Sequence, residues 1–132
     1  MGVREHVLRD PDLHDGRLLA MEVRGNSLLL RCTAVDGQEY AVTVGDLVRL
    51  RADNFLQGNI IFELLIFAGS NCPEDLVRSV YQLRTDDKWI GVAMEEIRRE
   101  RWTLLQLESS YGCSLVALSK GAVDVRPVDG PQ

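Results

Sequence analysis

Residues 17–44, RLLAMEVRGNSLLLRCTAVDGQEYAVTV, decide the fold, because two turn signals punctuate three segments in which apolar and polar side chains alternate. That alternation is the period of a half-buried strand. Gly25-Asn26 stands between Arg17–Val23 and Ser27–Ala34. Glycine accepts the positive φ that a type II′ turn needs at its first central position, so the pair predicts a two-residue hairpin loop. With Arg24 opposite Ser27, Val23 faces Leu28, Met21 faces Leu30 and Leu19 faces Cys32, which places six apolar side chains on one face. The other face then holds Leu18, Ala20, Glu22, Leu29, Arg31 and Thr33, a mixed set turned toward water.

The same face decides the length of the second loop. A two-residue loop at Asp36-Gly37 would set Ala41 opposite Cys32 and turn Tyr40 to water. A three-residue loop, Val35-Asp36-Gly37, with a type I turn followed by Gly37 in the left-handed region, sets Cys32 opposite Tyr40, Leu30 opposite Val42 and Leu28 opposite Val44. The longer loop keeps the apolar face continuous, so a meander with a bulge at Gly37 is expected.

Beyond the meander, Asp46 to Arg51 alternates as a fourth strand, and Asp53 to Asn59 is rich in turn residues. Ile60 to Phe67 is apolar on both faces apart from Glu63, the pattern of a strand covered on both sides. Asn71, Pro73 and Glu74 form a capping-box arrangement ahead of Leu76, Val77, Val80, Tyr81 and Leu83, which recur at helical spacing. Asp87 is placed to cap a second helix with Ile90, Ala93, Met94 and Ile97 inward, although Gly91 weakens it by about 1 kcal/mol. Trp102 to Glu108 and Cys113 to Ser119 read as a hairpin, followed by a last strand from Ala122 to Arg126. The expected class is therefore α+β: an antiparallel β-meander sheet or sandwich of about 7–8 strands, with one or two helices inserted in the second half.

The 132 residues suffice for one core burying roughly two thirds of the unfolded surface, and are too few for two ordinary domains. A single domain over 1–132 is expected, with 1–12 and 127–132 flexible. No apolar run approaches the ~20 residues of a membrane span, so no membrane partner is expected. The formal net charge is −5 and the basic residues are scattered apart from Arg98-Arg99-Glu100-Arg101. A nucleic-acid binder concentrates basic charge on one face, so nucleic acid is disfavoured. Cys32, Cys72 and Cys113 are odd in number and widely spaced, which suits free thiols in a reducing cytoplasm.

Two histidines are too few for an HD-type phosphohydrolase or a cupin, and no HExxH is present. His14-Asp15 could supply a general base, or a metal ligand completed by Asp53 or Glu63. The structural reading has Asp15 ending a turn and His14 donating a hydrogen bond at the start of a strand. Asp53, Asn54 and Asn59 are oxygen-rich and could hold a cation or a partner's backbone, or could close turns on their own backbone. Cys72, at the start of a predicted helix where the dipole lowers a thiol pKa, is the one candidate nucleophile. Neither GxGxxG nor a P-loop lysine occurs, so neither cofactor nor metal is expected.

Leu13-His14-Asp15 before a first strand, with Leu50-Arg51-Ala52-Asp53-Asn54-Phe55 and Gly58-Asn59-Ile60-Ile61 further on, resembles small uncharacterised bacterial domains that are β-rich. Some of that kind act as immunity proteins beside toxin genes. The resemblance spans the first half of the chain and brings no catalytic residue with it. What it implies, together with the absence of catalytic motifs, is a bacterial, cytoplasmic, non-enzymatic module that binds another protein. The two-sided apolarity of 60–67 adds a dimer interface to that expectation. The alternative is a small hydrolase or metal-dependent enzyme using His14, Asp15, Asp53 or Cys72.

Overall fold

The computed structural model describes residues 1–128. In chain order its strands are β1 (Gly2–Arg4), β2 (Val7–Asp10), β3 (Arg17–Arg24), β4 (Ser27–Thr33), β5 (Glu39–Val44), β6 (Leu47–Asp53) and β7 (Asn59–Ala68). A 3-10 turn (Gly69–Asn71), α1 (Glu74–Tyr81) and α2 (Ile90–Arg99) follow, then β8 (Thr103–Tyr111), β9 (Ser114–Ser119) and β10 (Val123–Pro127). The fold is α+β: an antiparallel sheet of ten strands among the described residues, with two helices in the second half. No helix among those residues is long and apolar enough to cross a membrane.

The meander forms as its turns dictate. Gly25 takes φ +60° in the two-residue loop, and Arg24, Val23 and Met21 stand opposite Ser27, Leu28 and Leu30. Gly37 takes φ +89°, its N–H donates to the Ala34 carbonyl, and Cys32, Leu30 and Leu28 face Tyr40, Val42 and Val44. One register differs from expectation. A bulge at Leu19 sets Leu18, rather than Leu19, opposite Cys32. Leu18 is consequently buried, while Leu19 is 46 % exposed. The extra residue reverses the alternation on one side of the bulge, which simple counting from the turn does not anticipate.

The hydrogen-bonded order is β10-β5-β4-β3-β7-β8-β9-β6, with β2 beside β7 and β1 beside β2. The fourth strand, β6, thus leaves the meander and pairs with β9, while the last strand, β10, takes the place beside β5. Asp46, at φ +48°, turns the chain out of the first layer. At that corner the Ser119 hydroxyl donates to the Gly45 carbonyl, and Lys120 N–H donates to the Asp46 carbonyl.

The sheet folds over on itself around a first core, in which Leu28, Leu30 and Val42 meet Leu64, Leu105 and Leu115. A second core lies on the outer face of β8 and β9, where Leu104, Val116 and Leu118 meet Val77, Ala93 and Ile97 of the helices. Along β9, Leu115 and Ala117 serve the first core while Val116 and Leu118 serve the second, the period-2 alternation of a strand buried on both faces. Each such side chain contributes roughly 1.5–3 kcal/mol on burial.

Much of the two-sided apolarity of β7 is covered inside the chain, although Phe62 stays 41 % exposed. Leu64 and Ile66 pack on the first core, Leu65 and Phe67 on the second. The N-terminal hairpin adds to this cover: Val7 pairs with Leu65, Ile66 N–H donates to the His6 carbonyl, and the His6 ring lies 4.9 Å from that of Phe67. Within residues 1–12, β1 and β2 pair with each other and, through Val7, with β7. At the other end, Pro127 belongs to β10 and Val128 N–H donates to Glu39, while the rest of the expected C-terminal flexible segment lies outside the described residues.

The helices also differ from expectation at their starts. Asn71 sits in the 3-10 turn, and α1 begins after Pro73 with no side-chain cap. Gly69 explains why: a Cβ there would come within 2.6 Å of the Ile97 carbonyl oxygen, so close packing against α2 shapes this connection. Asp87 does act at the start of the second helix, its carboxylate accepting the Trp89 N–H at 2.9 Å.

Candidate functional site

The segment Leu13 to Gly16 is tied to β7 by backbone pairing: Asp15 N–H donates to the Ile61 carbonyl, and Ile61 N–H donates to that of Gly16. Leu13 is buried beneath it. β7 carries a bulge at Phe62, since Ile61 faces Ser109 and Glu63 faces Glu108. His14 Nδ1–H donates to the Phe62 carbonyl (2.7 Å), and the two rings meet edge to face at 5.4 Å. Asp15, at φ +63°, turns its carboxylate back to 3.5 Å from His14 Nε2. Adjacent side chains on an extended strand point apart, so it is this left-handed residue that brings the pair together. Both ring nitrogens face acceptors, and the Phe62 carbonyl foremost, then Asp15, hold the His14 pKa above its ordinary value. That arrangement favours the imidazolium, and in the neutral ring the Nδ1–H bond to Phe62 leaves the lone pair on Nε2, beside Asp15.

Asp53, Asn54 and Asn59 do not act as one oxygen cluster. Asn59 is buried and bridges four backbone groups: Oδ1 accepts the N–H of Leu56 (2.8 Å) and of Cys113 (2.9 Å), while Nδ2 donates to the carbonyls of Leu56 and Leu18. Its oxygen already receives two donors and is not free for a cation. Gly112, at φ +85°, packs so tightly against this amide that a Cβ would overlap Oδ1. Asp53 pairs with Arg51 Nε at 3.1 Å, and Arg51 Nη1 reaches the Ser79 carbonyl at 3.2 Å, joining β6 to α1. Asn54 takes φ +60° as the chain leaves β6.

Cys72 precedes α1 and is buried, its thiol directed at the Ala68 carbonyl (3.4 Å). Burial pushes its pKa up to about 11, the reverse of the helix-dipole expectation, because the site lies in the second core and not at an open helix end. Cys32, on the core face as the register predicts, is pushed up to about 12 for the same reason. His14 contacts Phe62 and Cys72 contacts Ala68, six residues apart on one strand, a separation of roughly 20 Å. They do not share a pocket.

A further surface feature lies along β3. Pairing between β3 and β7 stops after Arg17–Ile60 and Leu18–Asn59. Gly58, at φ +144°, bends the chain away from β3 just before Asn59, and the Asn59 amide holds the loop in that bend. From Ala20 to Arg24, β3 has no strand partner on that side among the described residues. Beside this open edge stand Leu19 (46 % exposed), Val23 (51 %), Phe55 (44 %) and Leu56 (46 %). A cleft of about 300 Å³ runs between Leu19 and the Phe55–Gly58 loop. The sequence signal for this edge was Leu18-Leu19 side by side in an alternating strand, with Gly58 preceding the paired Asn59. Comparison with protein-family models, with curated proteins and with solved structures finds no match for this chain.

Proposed function

We propose that this chain is a non-enzymatic protein-binding module that receives its partner along the Ala20–Arg24 edge of β3. The observation that carries this reading is the open edge itself: a strand whose main-chain groups lack a partner on one side among the described residues, flanked by exposed Leu19, Val23, Phe55 and Leu56. An added strand gains affinity from main-chain hydrogen bonds and specificity from the side chains beside them. The other exposed ends of the sheet are less receptive. β10 carries Asp124, Arg126 and Pro127, β1 is three residues long, and β6 at the far end carries Arg49, Arg51 and Asp53 and is tied to α1 through Arg51, all common ways of blunting an edge. An immunity-type role, in which such an edge occupies a toxin, is a specific form of this reading. Three buried free thiols suit a reducing cytoplasm.

The test is capture from native lysate on the immobilised full chain, with quantitative mass spectrometry, against a Leu19→Lys/Val23→Lys variant. Both side chains are about half exposed, so circular dichroism and thermal melting should match the parent. A stoichiometric partner that the variant loses is the expected result. No stoichiometric partner, or one retained by the folded variant, overturns the reading.

A further inference from the structure

Resting on that reading, and naming the occupant of the same edge, we propose that the partner is a second copy of this chain, joined β3 to β3 about a two-fold axis at Val23. Residues opposed across an antiparallel pair share a face of the sheet. A two-fold axis between two identical strands must therefore pass between equivalent residues, and the open edge offers five choices, Ala20 to Arg24; through Ala20 it would set Glu22 opposite Leu18, whose place on that edge is taken by Asn59. Through Glu22 it would set carboxylate against carboxylate, and through Arg24 guanidinium against guanidinium, both unfavourable. Through Met21 it would set Arg24 opposite Leu18, whose place on that edge is already taken by Asn59.

Through Val23 the pairs within the strand, Glu22 to Arg24, are compatible, and the ladder ends there because Gly25 belongs to the turn. Val23 faces Val23, Glu22 faces the second copy's Arg24, and Arg24 faces its Glu22. The half-exposed Val23 becomes covered. Glu22 and Arg24 are 2.8 Å apart within the chain, so the axis gathers two acids and two guanidinium groups of alternating sign. The β10-β5-β4-β3 half of the sheet then continues directly into the same four strands of the second copy, an isologous closed interface. Asp124-Val125-Arg126 on β10 repeats the spacing, but Val125 is buried at 9 % and Pro127 supplies no N–H, so that edge lacks both the apolar contact and the full ladder.

Light scattering and sedimentation over a concentration series up to about 1 mM register even a millimolar dissociation constant. The parent chain is expected to dimerise. Glu22→Arg and Arg24→Glu each place like charges across the axis twice and should weaken the dimer roughly tenfold or more. An equimolar mixture of these two variants should restore it as a heterodimer, visible by native mass spectrometry, and Arg126→Glu should leave it unchanged. A parent chain monomeric throughout the series overturns this inference. So does a dimer indifferent to Glu22→Arg and Arg24→Glu, or one that their mixture fails to restore. The binding reading survives a monomeric result if capture still yields a partner that Leu19→Lys/Val23→Lys loses.

Discussion

At the scale of single residues, the polar side chains singled out by the sequence mainly hold the backbone. Asn59 shows this most directly, since it joins the start of β7 to its own preceding loop, to β3 and to the β8–β9 turn through one amide. Asn59→Ala would leave the N–H groups of Leu56 and Cys113 without their acceptor. At about 1–3 kcal/mol for the orphaned buried Cys113 donor, and less for the part-buried one of Leu56, urea denaturation should find a loss of roughly 1–4 kcal/mol; a loss below about 0.5 kcal/mol would contradict the bridging role. His14 carries a pH dependence. Its pKa is raised in the folded chain, chiefly by the Phe62 carbonyl, so its contribution is complete below the unfolded value of about 6.5 and is lost as pH rises through the folded value. The NMR titration of the ring should lie above that of a model histidine, and His14→Ala should flatten the stability profile just above pH 6.5. A ring that titrates at or below the model value defeats the argument.

At the scale of elements, turns decided more than strands did. Gly37 has nothing within 4 Å of a built Cβ and φ +89°, so its substitution isolates backbone strain from packing. Gly37→Val should cost about 1–3 kcal/mol by chemical denaturation, and a neutral result would mean that the loop readily adopts another register. The two meander loops and the cross-strand pairs around them were legible because glycine chemistry and the apolar face gave concordant answers. The Leu19 bulge was not, because both Leu18 and Leu19 satisfy the apolar pattern and only contact with β7 at Arg17 and Leu18 chooses between them. The helical stripes were legible from Val77, Val80, Ile90, Ala93 and Ile97, all buried. The capping box was not, because Gly69 must pack on α2 and draws Asn71 into a 3-10 turn.

At the scale of the whole molecule, the organisation follows from a sheet that serves two cores. β8 and β9 divide their side chains between the folded-over sheet and the helices, so the most apolar strands lie in the middle and the charged ones outside. The edges then differ in kind. Arg24–Glu22, Arg51–Asp53 and Arg126–Asp124 each pair charges two residues apart on strands at or near an edge, a pattern that suits exposed strands and discourages indiscriminate pairing. Around β3 that charge is accompanied by half-exposed apolar side chains and an interrupted partner strand, which is why the binding reading and the two-fold proposal both fall there.

By itself, the sequence determined the α+β class, the two hairpin loops of residues 17–44, the cross-strand pairs from Met21 to Arg24 and from Leu28 to Val44, and the inward stripes of both helices. These depend on short-range chemistry, where turn residues and periodicity act within a few positions. The tertiary structure alone decided that β6 crosses to β9 and β10 returns to β5, that the N-terminal hairpin and the helices cover β7, that Asp15 reaches His14, and that β3 keeps an open edge. Those outcomes depend on contacts between segments far apart in the chain, for which local pattern offers several equally apolar solutions and only simultaneous burial of both cores selects one.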